Sequence, residues 1–185
     1  MKKYKELIMT DLYRVYGNKK NIFLQKLKSK FSPTRRYMML HRKAHFCKNP
    51  YLQKILKIRL QFMQYKTYLQ IPMKTEIGKG FYIEHFGRVI INAKAVIGDN
   101  VNIATGVVIG SISRGNKKGE PVIGNEVWIG ANSVIVGKIK IGNNVLIAPN
   151  AYVNFDVPDN SIVIGNPGVI HYSEEATKEY IRNKI

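Results

Sequence analysis

Ile91-Asn92-Ala93-Lys94-Ala95-Val96-Ile97-Gly98-Asp99-Asn100-Val101-Asn102-Ile103-Ala104-Thr105-Gly106-Val107-Val108-Ile109 carries an isoleucine at every sixth position. The period resumes at Ile123, Ile129, Ile135, Ile141 and Ile147 and ends on Val153. An amphipathic helix repeats near 3.6 residues and a half-buried strand at two, so neither explains a period of six. A three-sided coil does: each short strand turns its aliphatic inward, and glycine or asparagine at positive φ turns each corner. Three sides make a coil of eighteen residues, the spacing from Ile91 to Ile109 and from Ile123 to Ile141. Identical side chains then stack while the backbone pairs between coils, which predicts a parallel β-helix with a one-dimensional core.

Two slips of phase interrupt the period. Ile77 and Ile83 form an earlier pair whose next step falls on Val89, two residues short of Ile91, so an insertion lies near Glu84-His85-Phe86-Gly87. The second slip separates Ile109 from Ile123 across the polar, glycine-rich and basic stretch Ser111 to Pro121, which must leave the coil as a loop. Loops on a rigid scaffold are common places for sites, and both slips are expected near one end of the solenoid.

Of the 185 residues, positions 1–70 read as a basic helical domain, 71–170 as the β-helix with loop 111–121, and 171–185 as a short C-terminal helix. Helices are expected around 3–16, 20–31, Pro33 to Phe46 and Pro50 to Tyr68. In the tail, Ser173 caps, Glu174 and Glu175 fill the first turn, and basic residues close it. No apolar run is long enough to span a membrane, the start does not read as a signal peptide, and one cysteine, Cys47, excludes an internal disulfide. These features imply a cytoplasmic protein.

The net charge of +18 is concentrated in residues 1–76, which hold nineteen Lys or Arg against three Asp or Glu. A solvated helical cap, or peripheral contact with anionic lipid at the inner face of the membrane, accounts for such a segment. Nucleic acid is not expected, because no recognition motif accompanies the charge.

The stretch from Ile71 to Gly87, the repeats, and the ending Val157-Pro158-Asp159-Asn160-Ser161-Ile162-Val163-Ile164-Gly165-Asn166-Pro167 together resemble the hexapeptide-repeat acyltransferases, in their serine acetyltransferase-like branch. With Arg42-Lys43-Ala44-His45-Phe46, the chain looks closest to colanic-acid and capsule acetyltransferases. The resemblance implies a left-handed β-helix and a homotrimer, single or paired, with active sites between subunits. It also implies acetyl-CoA as co-substrate and direct attack of a hydroxyl in a ternary complex; with one histidine, His85, in the coils, a three-histidine metal site cannot be assembled and no metal is expected.

The family's catalytic histidine matches His85. An alcohol attacks a thioester poorly unless a base takes its proton, and imidazole suits that task. In serine acetyltransferases an aspartate fifteen residues earlier orients the histidine, and a second histidine thirty-five residues later helps hold serine. Those positions here are Gln70 and Glu120, while the acid before the histidine is kept in kind as Glu84. His45 is a further candidate at the acceptor if the helical cap folds over the site; His41 and His171 are not. For CoA, the pattern carries over onto Gly110, Ser111, Ala131, Ala148 and Pro149, and Arg114, Lys117, Lys118 and Lys138 suit its phosphates. The departures at 70 and 120 favour a carbohydrate acceptor, a sugar hydroxyl of a capsule, exopolysaccharide or O-antigen. Serine O-acetylation in cysteine biosynthesis and a non-catalytic scaffold that binds anionic surfaces are the alternatives.

Overall fold

In the computed structural model, which describes residues 2–17, 27–29 and 31–185, the aliphatic period becomes three columns of stacked side chains. Ile91, Ile109, Ile135 and Val153 stand in register on the first sheet. Ile77, Ile97, Ile123 and Ile141 do so on the second. Ile83, Ile103, Ile129, Ile147 and Val163 form the third column. The first sheet runs β1 (Leu69–Gln70), β4 (Val89–Ile91), β7 (Val108–Gly110), β10 (Val134–Val136) and β13 (Tyr152–Val153). The second runs β2 (Glu76–Ile77), β5 (Val96–Ile97), β8 (Val122–Ile123) and β11 (Lys140–Ile141). The third contains β3 (Tyr82–Ile83), β6 (Asn102–Ile103), β9 (Val127–Ile129), β12 (Val145–Ile147) and β14 (Ser161–Ile164), closed by antiparallel β15 (Val169–Tyr172).

Between the second and third sheets, Asn100, Asn144 and Asn160 take the left-handed conformation that turns the chain. The glycine after each isoleucine of the second sheet answers a different demand: a methyl group on Gly98 would stand 2.4 Å from the carbonyl oxygen of Gly124 one coil on. Side chains also bridge successive coils. The amide of Asp99 donates to Asn125 Oδ1 (2.8 Å), that of Asn125 to Asn143 Oδ1 (2.8 Å), and that of Asn143 to Asp159 Oδ1 (2.7 Å).

Both slips lie where the period locates them. Eight residues from Ile83 to Ile91 face six from Ile103 to Ile109, and fourteen from Ile109 to Ile123 face six from Ile135 to Ile141. They sit at different corners: 84–88 enters the first sheet and 111–121 leaves it, so the two border the same face.

The cap comprises α1 (Lys2–Tyr16), α2 (Pro33–His45) and α3 (Pro50–Thr67). The helix expected around 20–31 lies outside the described residues except at 27–29, which are helical, and at 31, which is a turn. Tyr37, Met38 and Leu60 join the same apolar cluster as Leu69, Ile71 and Phe81, so cap and coil share one core. Arg42, 2% exposed, locks the joint: its guanidinium makes a two-pronged pair with Asp11 (3.0 and 3.1 Å) and donates to the carbonyls of Ile77 (2.5 Å) and Gly78 (2.6 Å). Asp11 in turn accepts from the amide of Phe81 (2.9 Å).

The tail corrects an expectation, because residues 173–185 form successive turns rather than a helix. Their amides reach back three residues, Ala176 to Ser173, Lys178 to Glu175 and Tyr180 to Thr177. The tail is a strap over the third sheet, held where Thr177 meets Asn144, where Ile181 is buried, and where Ile185 and Asn100 exchange hydrogen bonds. Those contacts fix the backbone in a path that a regular helix would not follow.

His41 is buried in the joint, with Nε2–H donating to Pro72 O (2.9 Å) and Nδ1 without a partner among the described residues. Burial pushes its pKa down to about 4, with the neighbouring Arg42 and His45 acting in the same direction. The unfolded chain, with an ordinary histidine near 6.5, therefore binds more protons over the interval between these values. The stability from neutral His41 is complete above pH 6.5 and is lost as pH falls toward 4. Moving from pH 7 to 5 should remove about 2 kcal/mol of stability that a His41→Gln variant keeps, as read from urea unfolding of both proteins at the two pH values. Parallel losses in the two proteins would contradict this.

Candidate active site

The corner leading from the third sheet into the first is short in later coils, at 104–106, 130–132 and 148–150, and widened at 84–88 in the first coil. The amide of Glu84 holds its entry by donating to Ile103 O (3.1 Å), and the amide of Gly106 holds its exit by donating to Arg88 O (2.6 Å). Gly87 lies between at φ 141, where a Cβ would stand 2.4 Å from Thr105 Oγ1, so the widened turn needs glycine there. This geometry presents His85 to solvent on the corner, and neither ring nitrogen is bonded among the described residues.

Glu84 is held more firmly. Its Oε1 accepts from Trp128 Nε1 (2.9 Å) and Asn102 Nδ2 (3.3 Å), while Oε2 has no partner among the described residues. Asn102 is buried and accepts from Arg14 Nη2, whose Nε donates to Gly80 O (3.1 Å). Burial draws the Arg14 pKa below the ordinary guanidinium value; Glu126 opposes this most, with Asp11 and Glu84 among smaller influences. On the outer side, Trp128 packs on Tyr180 of the strap at 4.7 Å between ring centroids, and Asn102 Nδ2 also donates to Tyr180 O (3.3 Å). Sequence reading missed this group. One signal was available: Trp128, the only tryptophan, occupies an outward position in register with Asn102 one coil below.

The remaining candidates separate by corner. Ala131, Ala148 and Pro149 stack on the corner that carries His85: the amide of Asn150 donates to Ala131 O (2.8 Å), and Ser133 Oγ donates to Gly130 O (2.5 Å) and Ala148 O (3.2 Å). Gly110, Ser111 and the loop lie on the opposite border of the first sheet. There Ile112 and Gly119 exchange backbone hydrogen bonds (3.0 Å each), and the amide of Lys138 donates to Lys117 O (2.9 Å), bringing two of the expected phosphate partners together. Arg114, Lys117, Lys118 and Lys138 are exposed, and among the described residues none forms a salt bridge, so all four are free to meet an anion. Glu120 closes this loop, away from the His85 corner of the same chain.

Two expected helpers are placed elsewhere. Gln70 is exposed on β1, paired with Ile90, and among the described residues its side chain makes no hydrogen bond to His85. His45 is not over the site: its Nδ1–H donates to Met73 O (2.8 Å) and its ring packs on Phe46, which commits it to the joint between cap and coil.

Comparison with known proteins adds three findings. Residues 120–154 match the family profile described as bacterial transferase hexapeptide (six repeats). Serine acetyltransferase of Synechococcus elongatus is 32% identical over 135 residues, covering 73% of this chain and 55% of that protein; the Staphylococcus aureus enzyme is 39% identical over 110 residues, covering 60% and 52%. The chain thus spans about half the length of the curated relatives it matches. Among solved structures, serine acetyltransferase of Neisseria gonorrhoeae in complex with serine aligns with a TM-score of 0.74 at 27% identity, covering 91% of this chain and 69% of that one. The soybean enzyme complexed with serine aligns at 0.76 and 26%, covering 91% and 69%. These findings overturn the expected carbohydrate acceptor, and they do not support the link to colanic-acid and capsule acetyltransferases.

Because Tyr180 shields Trp128, releasing the strap should expose the indole. Ile181→Asp, at a side chain 2% exposed, should shift tryptophan emission to longer wavelength; an unchanged spectrum would contradict the packing of strap on Trp128.

Proposed function

Taking the chain as a hexapeptide-repeat acyltransferase, the family its coils and relatives share, we propose that it transfers acetyl from acetyl-CoA to the hydroxyl of serine. The observation that carries this reading is the pairing of an unengaged imidazole at His85 with a carboxylate at Glu84 that has one oxygen anchored and the other free. Serine offers a group for each. Its ammonium pairs with Glu84 Oε2, which sets its hydroxyl toward His85. His85 takes the hydroxyl proton as the oxygen attacks the thioester carbonyl, and then returns that proton to the departing sulfur. Acetyl-CoA supplies the activated acyl group. Arg114, Lys117 and Lys138 meet its phosphates, while the small residues Gly110, Ala131 and Ala148 let its arm lie close to the coils.

Loop 111–121 and the His85 corner border opposite sides of one sheet, which favours a site completed between neighbouring subunits of a homotrimer. Gln70 and Glu120 lack the side chains that orient the base and hold serine in the family pattern, so this reading assigns more of acceptor recognition to Glu84 and its anchors.

Thiol release from acetyl-CoA, measured with and without L-serine, tests the reading: serine-dependent release is expected, and the absence of release with every acceptor tried would leave only a scaffold. His85→Ala should lower turnover about a hundredfold or more with assembly unchanged. Glu84→Gln should raise the KM for serine about tenfold while leaving that for acetyl-CoA alone; equal effects on both would remove Glu84 from the acceptor.

A further inference from the structure

Helix α3 has two apolar faces. Leu56 and Leu60, each 2% exposed, turn one face into the joint with the coils. The opposite face carries Tyr51, Ile55, Ile58, Phe62 and Tyr65, spaced at one helical stripe and between 55 and 79% exposed. At 100° per residue, Lys54 and Lys57 flank this stripe on one side and Arg59 and Lys66 on the other. The helix contains no Asp or Glu, and among the described residues none of its cations forms a salt bridge. Lys54, Lys57, Ile58, Gln61, Phe62 and Tyr65 line an open groove of about 550 Å³ along it.

Five large apolar side chains in water require an occupant, and the charge around them selects one. Pairing the stripe with a second copy would set two rims of cations against each other, with no acid on either helix to offset them. An anionic bilayer surface fits each part: acyl chains take Ile55, Ile58 and Phe62, the headgroup boundary takes the tyrosine rings, and lipid phosphates take the lysines and Arg59. No helix among the described residues is long and apolar enough to cross a membrane, so the fit is to a surface. We propose that the outer face of α3 docks this protein on anionic lipid.

The full chain, sedimented with vesicles of phosphatidylcholine containing about one-third phosphatidylglycerol, should pellet with them and not with phosphatidylcholine alone. Binding should fall away in about 1 M salt, where charges are screened within about 3 Å. The double variant Ile58→Glu/Phe62→Glu should bind the anionic vesicles at least about tenfold more weakly, and Lys54→Gln/Lys57→Gln should show a comparable loss. Failure of the wild type to bind, equal binding to both vesicle types, or undiminished binding by the variants would overturn the proposal. So would a fall in assembled mass of the Ile58→Glu/Phe62→Glu variant in lipid-free solution, which would identify the occupant as a second copy. Serine-dependent thiol release by the same variants should be unchanged, which separates this docking face from the proposed reaction.

Discussion

A coil that stacks on its neighbours must close at the same place each time. Ile103, Ile129 and Ile147 can form one column only if the chain returns to register after each circuit, and every added residue must be expelled at a corner. The period therefore does two jobs. It builds the core, and it forces any departure from it outward, where a side chain meets solvent instead of packing. His85 is exposed because the two additional residues of its corner have no place in the stack.

This constraint explains what could be read from sequence and what could not. The register, both insertions and three cap helices follow from local spacing, proline placement and composition. The slip of phase marks the insertion that holds Glu84 and His85, and it is the resemblance to the family that singles them out as candidates. Trp128, Asn102, Arg14 and Tyr180 were not found together, because they come from β9, β6, α1 and the tail and converge only when coils stack. The tail was misread as a helix because its first-turn acids and capping serine suit one; contacts with Asn144 and Asn100 outweigh that local preference. The expected carbohydrate acceptor rested on two side chains, and the serine acetyltransferase relatives overturn it. Substitutions at Gln70 and Glu120 suggested a dismantled serine site, whereas the neighbouring Glu84 has an anchored oxygen and a free one.

Cap and strap bear on that site from opposite directions. Arg14 and Asp11 on α1, with Arg42 on α2, fix the helices to the edge of the first coil through Gly80, Phe81 and Gly78. Arg14 continues through Asn102 to Glu84, and Tyr180 packs from outside against Trp128. The carboxylate beside His85 thus depends on both ends of the described chain. By contrast, the outer face of α3 points away from this network and carries the charge and apolar surface that neither core nor site uses.

The central claim is that Glu84 and His85 receive the two ends of one small amino-acid acceptor. A crystal structure of the protein soaked with L-serine tests it most directly. The account predicts the ammonium on Glu84 Oε2 and the hydroxyl within about 3 Å of a ring nitrogen of His85. Serine ordered away from Glu84, or bound with its hydroxyl turned from His85, would contradict it.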